Sequence, residues 1–320
     1  MTEIPYTRYS SYLKRRYGAR THRVCVDAGF SCPHRSGRSS AGCTYCGEEG
    51  SRAPYLDACA SPDDAGHIGP SAAGLPLQVE RAIRFLENRY GKGELILYFQ
   101  AFSCTNAPPG VLEKIYDAAL GMASFRELVV STRPDCIDEA KADLLRSYMS
   151  PTLDVWVELG LQSANDATLR RLSRGHSAAD FASAYNMVRQ RNIKVAAHII
   201  LGLPGETSAD MANTARFLAD LRPDGLKIHN LHIPSRTPIA REFEKGEVCA
   251  PVMERHIENV ISVLELLPPE TLIMRLTCDT PHIRLLSPRF TWGTQVFCSR
   301  LSGAMRARET WQGRLYIPRS

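Results

Sequence analysis

The chain alternates short apolar runs with stretches in which apolar residues recur every three or four positions. RVCVDAG (23–29), ELILYFQAF (94–102), ELVVST (127–132), LDVWVELGL (153–161), KVAAHIILGL (194–203) and GLKIHNLHI (225–233) read as strands. Between them the spacing predicts helices over 77–91, 108–122, 139–148, 177–191 and 207–221. The second opens on Pro108-Pro109, which a first helical turn accepts because it has no use for the missing N–H. Six strand–helix units in succession imply an α/β fold, a parallel sheet with helices outside it. Right-handed crossovers throughout allow that sheet to curl into a whole or partial barrel.

The pattern changes at both ends. Residues 1–21 form a basic, tyrosine-rich arm, 22–235 carry the repeating units, and 236–320 form a short C-terminal extension expected to cover the barrel. In the extension a helix near 251–267 stops at Pro268-Pro269, a strand-like LIMRLT (272–277) follows, and a less periodic basic tail ends the chain. The Gly-, Pro- and Ser-rich stretch 61–76 reads as a surface loop.

Composition narrows the class without naming it. With 44% hydrophobic and 23% charged residues, the chain has the make-up of a soluble globular protein. The opening MTEIPYTRYSSYLKRRYGAR has no signal-like apolar run and no stretch is long enough to span a bilayer, which predicts a cytoplasmic protein without a membrane partner. A net charge of +5 tolerates a nucleic-acid partner without requiring one. The arm interleaves Arg8, Lys14, Arg15, Arg16, Arg20 and Arg23 with Tyr6, Tyr9, Tyr12 and Tyr17. That mixture suits phosphate contacts and base stacking, and equally a solvated arm packed by its tyrosines.

The unusual polar residues fall at the carboxyl ends of the strands, where parallel α/β folds and barrels bind ligands. Cys32 follows the first strand and Gln100 the second; Ser131, Arg133 and Asp135 close the third. Glu158 and Gln162 end the fourth, Gly202 and Gly205 follow the fifth, and His229 and His232 lie near the end of the sixth. Glu158 sits between Val157 and Leu159, and a carboxylate inside an apolar strand needs a partner, for which Arg133 is a candidate.

CPHRSGRSSAGCTYC (32–46) sets Cys32, Cys43 and Cys46 on one loop. In a reducing compartment such clustering points to metal or chemistry rather than to disulfide staples. Thiolates suit soft metals. A zinc knuckle would need a fourth ligand, from Cys25 or His34. A cubane held by three cysteines leaves one iron open to substrate or cofactor.

VDAGFSCPHRSGRSSAGCTYC, YFQAFSCTNAPP, STRPDC, WVELGLQS, HIILGLPGET, GLKIHNLHIPSRTP and LELLPPETLIMRLTCDTP, in this order, resemble the radical SAM superfamily. The likeness is to its YhcC/YtqA-like branch, related to the elongator-type enzymes, and spans roughly residues 22–283. The resemblance implies a partial (β/α)6 TIM-like barrel and a [4Fe–4S] cluster on Cys32, Cys43 and Cys46. It also implies S-adenosylmethionine on the open iron, a low-potential electron donor of the flavodoxin or ferredoxin kind, and a 5′-deoxyadenosyl radical that abstracts hydrogen from a substrate.

Carried onto this chain, the resemblance lays Tyr45 along the adenine and Gln100 near the methionine amino group. Glu158 and Gln162 match the ribose and methionine contacts, Ser131 is a further cofactor-binding residue, Arg174 pairs with the cofactor carboxylate, and Gly202 and Gly205 allow close backbone approach. Met274 and Cys278 stand where this branch usually shows His and Gly.

Arg133, Asp135, His198, His229, Arg275 and Asp279 are the candidate substrate contacts, although Asp135 is also a good turn residue and each strand-end histidine also reads as a satisfied core residue. Cys104, Cys136 and Cys278 read first as small buried hydrophobes and second as a further cysteine-ligated centre or a relay thiol. Because related branches act on tRNA, the expected substrate is a modified tRNA nucleotide, with the wobble-uridine side chain foremost. A small metabolite is the alternative within the class, and a zinc-stabilised RNA-binding module the alternative outside it.

Overall fold

The computed structural model describes residues 4–35, 42–47, 69–278, 285–288 and 293–318. Six strands run in the order read from the sequence: β1 (Thr21–Val26), β2 (Glu94–Phe99), β3 (Phe125–Thr132), β4 (Asp154–Gln162), β5 (Lys194–Leu201) and β6 (Gly225–Asn230). Two short strands follow, β7 (Ile233–Pro234) and β8 (Leu272–Arg275), and β9 (Leu285–Ser287) pairs antiparallel with β7. The main sheet has seven strands in the order β1-β2-β3-β4-β5-β6-β8, with every pairing parallel. It curls into part of a barrel whose edge strands, β1 and β8, do not pair with each other.

Helices fill the crossovers and flank the sheet: α1 (Tyr9–Tyr17), α2 (Leu75–Tyr90), α3 (Pro109–Leu120), α4 (Glu139–Ser147), α5 (Asp166–Arg171), α6 (Ala178–Arg189), α7 (Ser208–Leu221), α8 (Pro238–Glu244), α9 (Met253–Leu266) and α10 (Thr294–Ala307). Local chemistry sets several starts. Ser177 with Asp180, and Thr207 with Asp210, close reciprocal capping boxes at α6 and α7. α5 and α8 are too short to show a period. α10 occupies the tail that reads as aperiodic, yet Phe297, Leu301 and Met305 recur every fourth residue and are buried. β8 adds a seventh strand beyond the six units, and α9 and α10 join the helical layer beside α7. The part of the loop 61–76 before residue 69 lies outside the described residues.

The core has two compartments. One lies between sheet and helices, with Val24, Phe99, Leu128, Val157, Ile199 and Ile228 facing outward from successive strands. The other plugs the amino end of the barrel interior, where Tyr9 and Leu13 of α1 meet Cys25, Ile96, Tyr98, Val129, Trp156, Ala196 and Leu272. Trp156 is fully buried, and burying a side chain of this size contributes roughly 3 kcal/mol.

The N-terminal arm is therefore a structural plug. Tyr9 donates to the buried Glu127, and Tyr17 donates to the same carboxylate at 3.0 Å. Lys194 reaches both Tyr12 (3.0 Å) and Asp154 (2.8 Å). Arg8 forms an isolated parallel backbone bridge to Ile273 on the β8 edge of the sheet. The tyrosines thus serve packing rather than base stacking, and the exposed Lys14, Arg15 and Arg16 lie at the end of the barrel opposite the strand termini.

Candidate active site

The described parts of the cluster loop are held by bonds to several elements. Asn106 Nδ2 donates to the Ser31 carbonyl at 3.2 Å, and Cys32 Sγ lies 3.4 Å from Ser103 Oγ, both from the segment after β2. Thr44 N–H donates to Leu172 C=O at 3.0 Å, and Ile239 N–H from α8 donates to Thr44 C=O at 3.1 Å. Arg35 reaches the carbonyls of Cys46 (3.3 Å) and Gly47 (3.1 Å). His34, two residues after Cys32, meets Asp135 at 3.0 Å.

Two buried arginines flank the second cysteine. Arg133 Nη1 is 3.5 Å and Arg174 Nη1 3.6 Å from Cys43 Sγ. Burial pushes the Cys43 thiol up, but Arg174 and then Arg133 outweigh it, so the net shift is downward and the thiolate is favoured. Cys46 goes the other way: burial raises it to about 11, Arg35 opposes, and Cys43 and Cys32 add like-charge repulsion. The three sulfurs are thus near enough to act on one another, and none is in a disulfide.

Among the described residues no three His, Cys, Asp or Glu side chains converge tightly enough to chelate one ion. A cubane needs no such convergence, because each thiolate binds a different iron. The zinc-knuckle reading loses both of its fourth ligands, since Cys25 packs in the interior plug and His34 is paired with Asp135. Cys32, Cys43 and Cys46 are the residues that would hold an iron–sulfur cluster.

Arg174 depends on a glycine that the sequence reading passed over. Its Nη2 donates to Gly160 C=O at 2.9 Å and its Nε to His176 at 2.9 Å. A Cβ on Gly160 would stand 2.4 Å from that Nη2 and 2.7 Å from Gln162 Nε2. Beyond Gly160 the register slips, and Gln162 takes φ 74°, a left-handed conformation that strains a non-glycine residue. Gly202 and Gly205, each at φ 83°, shape the turn after β5, with Pro251 packed over Gly202.

Below the rim lies a buried polar layer. Glu158, with no exposed surface, meets Lys227 Nζ at 2.5 Å, accepts from Tyr98 OH at 2.6 Å, and lies 3.0 Å from His198 Nε2. Burial pushes the Glu158 carboxyl up, but Lys227, His198 and Arg23 hold it well below its usual range. Burial pulls the Lys227 ammonium down, with Glu158 opposing. The partner proposed for Glu158, Arg133, is instead turned to the cluster loop, and Lys227 takes its place. Lys227 was missed, although a lysine between Leu226 and Ile228 carries the same signal as a glutamate between Val157 and Leu159.

The remaining candidates separate by environment. Gln100 is half-buried just past β2, and Ser131 lies opposite Glu158 in register. Tyr45 is half-buried and packs on the apolar cluster of Leu172, Ile200, Leu203 and Leu231. Arg133 and Asp135 form a two-bond pair (2.8 and 3.0 Å) that props the loop through His34. His198 and His229 rings are 5.7 Å apart, and Arg275 is exposed at the end of β8. Cys104 and Cys136 are buried as small core groups, whereas Cys278 is half-buried. Asp279 lies outside the described residues.

A parallel part-barrel with three thiols docked at the carboxyl ends of its strands defines a class, and the comparisons agree. The chain belongs to the radical SAM superfamily, which it matches over residues 31–218, with a Radical_SAM C-terminal domain over 223–302. It is an S-adenosylmethionine-dependent enzyme whose cofactors are a [4Fe–4S] cluster and S-adenosylmethionine. It is 33% identical to Protein YhcC of Escherichia coli (strain K12), over 96% of this chain and 95% of that protein. It is 29% identical to a tRNA uridine(34) acetyltransferase of Dehalococcoides mccartyi, over 49% of this chain and 34% of the relative. The archaeal Elp3 structure of Methanocaldococcus infernus superposes with TM-score 0.64 at 19% identity, over 74% of this chain and 60% of that one.

Proposed function

We propose that this enzyme abstracts a hydrogen atom from a modified tRNA nucleotide, most directly from the side chain of wobble uridine, in the cytoplasm. Bound together, the cluster and S-adenosylmethionine supply one-electron cleavage of the sulfonium and with it a 5′-deoxyadenosyl radical. A flavodoxin- or ferredoxin-like donor provides the electron.

The protein's own part is placement. Arg133 and Arg174 offset negative charge at Cys43. Asp135 and Arg133 keep the cluster loop against the rim through His34. Gln100, Ser131, Gln162 and the backbone around Gly202 line the same end of the barrel and would hold the cofactor. The apolar cluster around Tyr45 gives the adenine a dry face.

The observation that carries the reading is the docked three-thiol loop at the mouth of the barrel. The RNA part is supported by the partial likeness to a tRNA uridine(34) acetyltransferase. It also draws on exposed Arg170, Arg236, Arg241 and Arg275 on the mouth side, suited to phosphates, rather than on the arm. The test is a comparison of modified tRNA nucleosides between a deletion strain and its parent. A lost or accumulating wobble-uridine derivative, restored by the intact gene but not by Cys43→Ala, supports the reading. An unchanged nucleoside profile moves the substrate to a small metabolite.

A further inference from the structure

The last strand of the main sheet carries an irregularity that redirects one arginine. On β8, Leu272 faces the interior plug and Ile273 the outer core. Met274 turns inward again, with its sulfur 2.8 Å from where a Cβ on Gly225 would stand. Strict alternation would send Arg275 outward. Instead β8 holds one extra residue, the register shifts, and Arg275 lies opposite the inward-facing Lys227. Leu276 then returns to the outer core.

The other inward cations of this layer are already engaged. Lys227 meets Glu158 at 2.5 Å and Tyr98 OH at 2.9 Å. The Arg23 guanidinium, on the opposite sheet edge, lies 5.3 Å from the Tyr9 ring and 5.7 Å from the Tyr98 ring, with Glu127 nearby. Arg275 is exposed and has no hydrogen bond or ion pair among the described residues. We propose that Arg275 binds a singly charged oxyanion of the substrate, a carboxylate or a phosphodiester, inside the mouth of the barrel. A guanidinium meets either group with paired N–H donors.

The surroundings favour such a guest. Burial pulls the Lys227 ammonium down to about 7, Glu158 opposes, and Arg23 and Arg275 add like-charge repulsion that an anion at Arg275 would relieve. The floor is closed, because Tyr98, Glu158 and Lys227 are buried, whereas Arg275 keeps its exposed surface. An anion therefore reaches Arg275 from the mouth and stops there, with a dry layer beneath that strengthens the contact. This subsite rests on the barrel mouth serving the substrate, as proposed above, but not on that substrate being RNA. Binding is measured without turnover, so the tRNA assignment can fail separately.

The experiment follows modification of Arg275 by phenylglyoxal, an arginine reagent, in anaerobically purified, cluster-loaded protein, with peptide mass mapping. Acetate and dimethyl phosphate are the probes, acetamide is their uncharged counterpart, and ionic strength is held constant. Exposed Arg216 on α7 is the internal reference. Acetate is expected to slow the Arg275 reaction about tenfold as it saturates if the guest is a carboxylate, and dimethyl phosphate if it is a phosphodiester. Arg216, and Arg275 in acetamide, should keep their rates. Arg275 slowed by neither anion, or no more than Arg216, overturns the proposal. So does equal slowing by acetamide, or by S-adenosylmethionine alone, which would give Arg275 to the cofactor.

Discussion

Lys227 and Glu158 face each other inside the barrel, Nζ to Oε1 at 2.5 Å, both almost entirely out of contact with water. Neither charge has solvent to fall back on, and Lys227 is the largest of the charges that hold Glu158 ionised. Lys227→Met is expected to destabilise the fold by about 3–5 kcal/mol in denaturant unfolding, because it strands the carboxylate. Lys227→Met with Glu158→Leu should recover most of that loss. A single-variant cost below about 1 kcal/mol would show that the pair is not a buried ion pair.

Gly160 is the residue on which the position of Arg174 rests. Gly160→Ala sets a methyl 2.4 Å from Arg174 Nη2, so the guanidinium must leave its place beside Cys43. The expected outcome is a folded protein that loses iron on anaerobic gel filtration much faster than the parent. Gly110→Ala, where an added methyl meets nothing within 4 Å, serves as the control. Equal iron retention in both variants would mean that Arg174 does not support the cluster loop.

Much of this architecture is legible in the sequence because the outward faces of the strands are apolar and their length differs from that of the helices. The six strands fall within a few residues of their expected positions. The cluster loop is legible for a different reason, since three thiols in fifteen residues have few structural uses. What escapes is whatever depends on contacts between distant segments. Glu158 reads as needing a partner, but the choice of Lys227 over Arg133 follows from register, with His198 opposite Lys227 and Ser131 opposite Glu158. Arg133 and Asp135 read as facing substrate, yet they prop the loop, because their partner His34 is a hundred residues away in sequence. The tyrosines of the arm read two ways until Glu127 and Trp156 are seen to receive them.

His256 gives the fold an acid-sensitive element far from the cluster. It is fully buried, lies 2.8 Å from the Leu276 carbonyl through Nε2, and packs on Phe297. Burial pulls its pKa down from 6.5 to about 4, with the bond to Leu276 opposing. Between these values the unfolded chain binds the proton and the folded one does not, so stability falls as pH falls from 6.5 to about 4. Each pH unit in that window costs about 1.4 kcal/mol for this one group. His256→Gln should flatten the dependence by that amount in unfolding titrations across the window. A slope identical to the parent's would show that His256 takes up its proton equally in the folded and unfolded chain.

The most direct measurement is Mössbauer spectroscopy of anaerobically reconstituted protein with and without S-adenosylmethionine, alongside iron and sulfide analysis. A cubane on Cys32, Cys43 and Cys46 predicts about four irons per chain, one of which changes its signal when S-adenosylmethionine is added. Irons that are all thiolate-ligated and indifferent to S-adenosylmethionine, or a colourless protein holding one zinc, would contradict it.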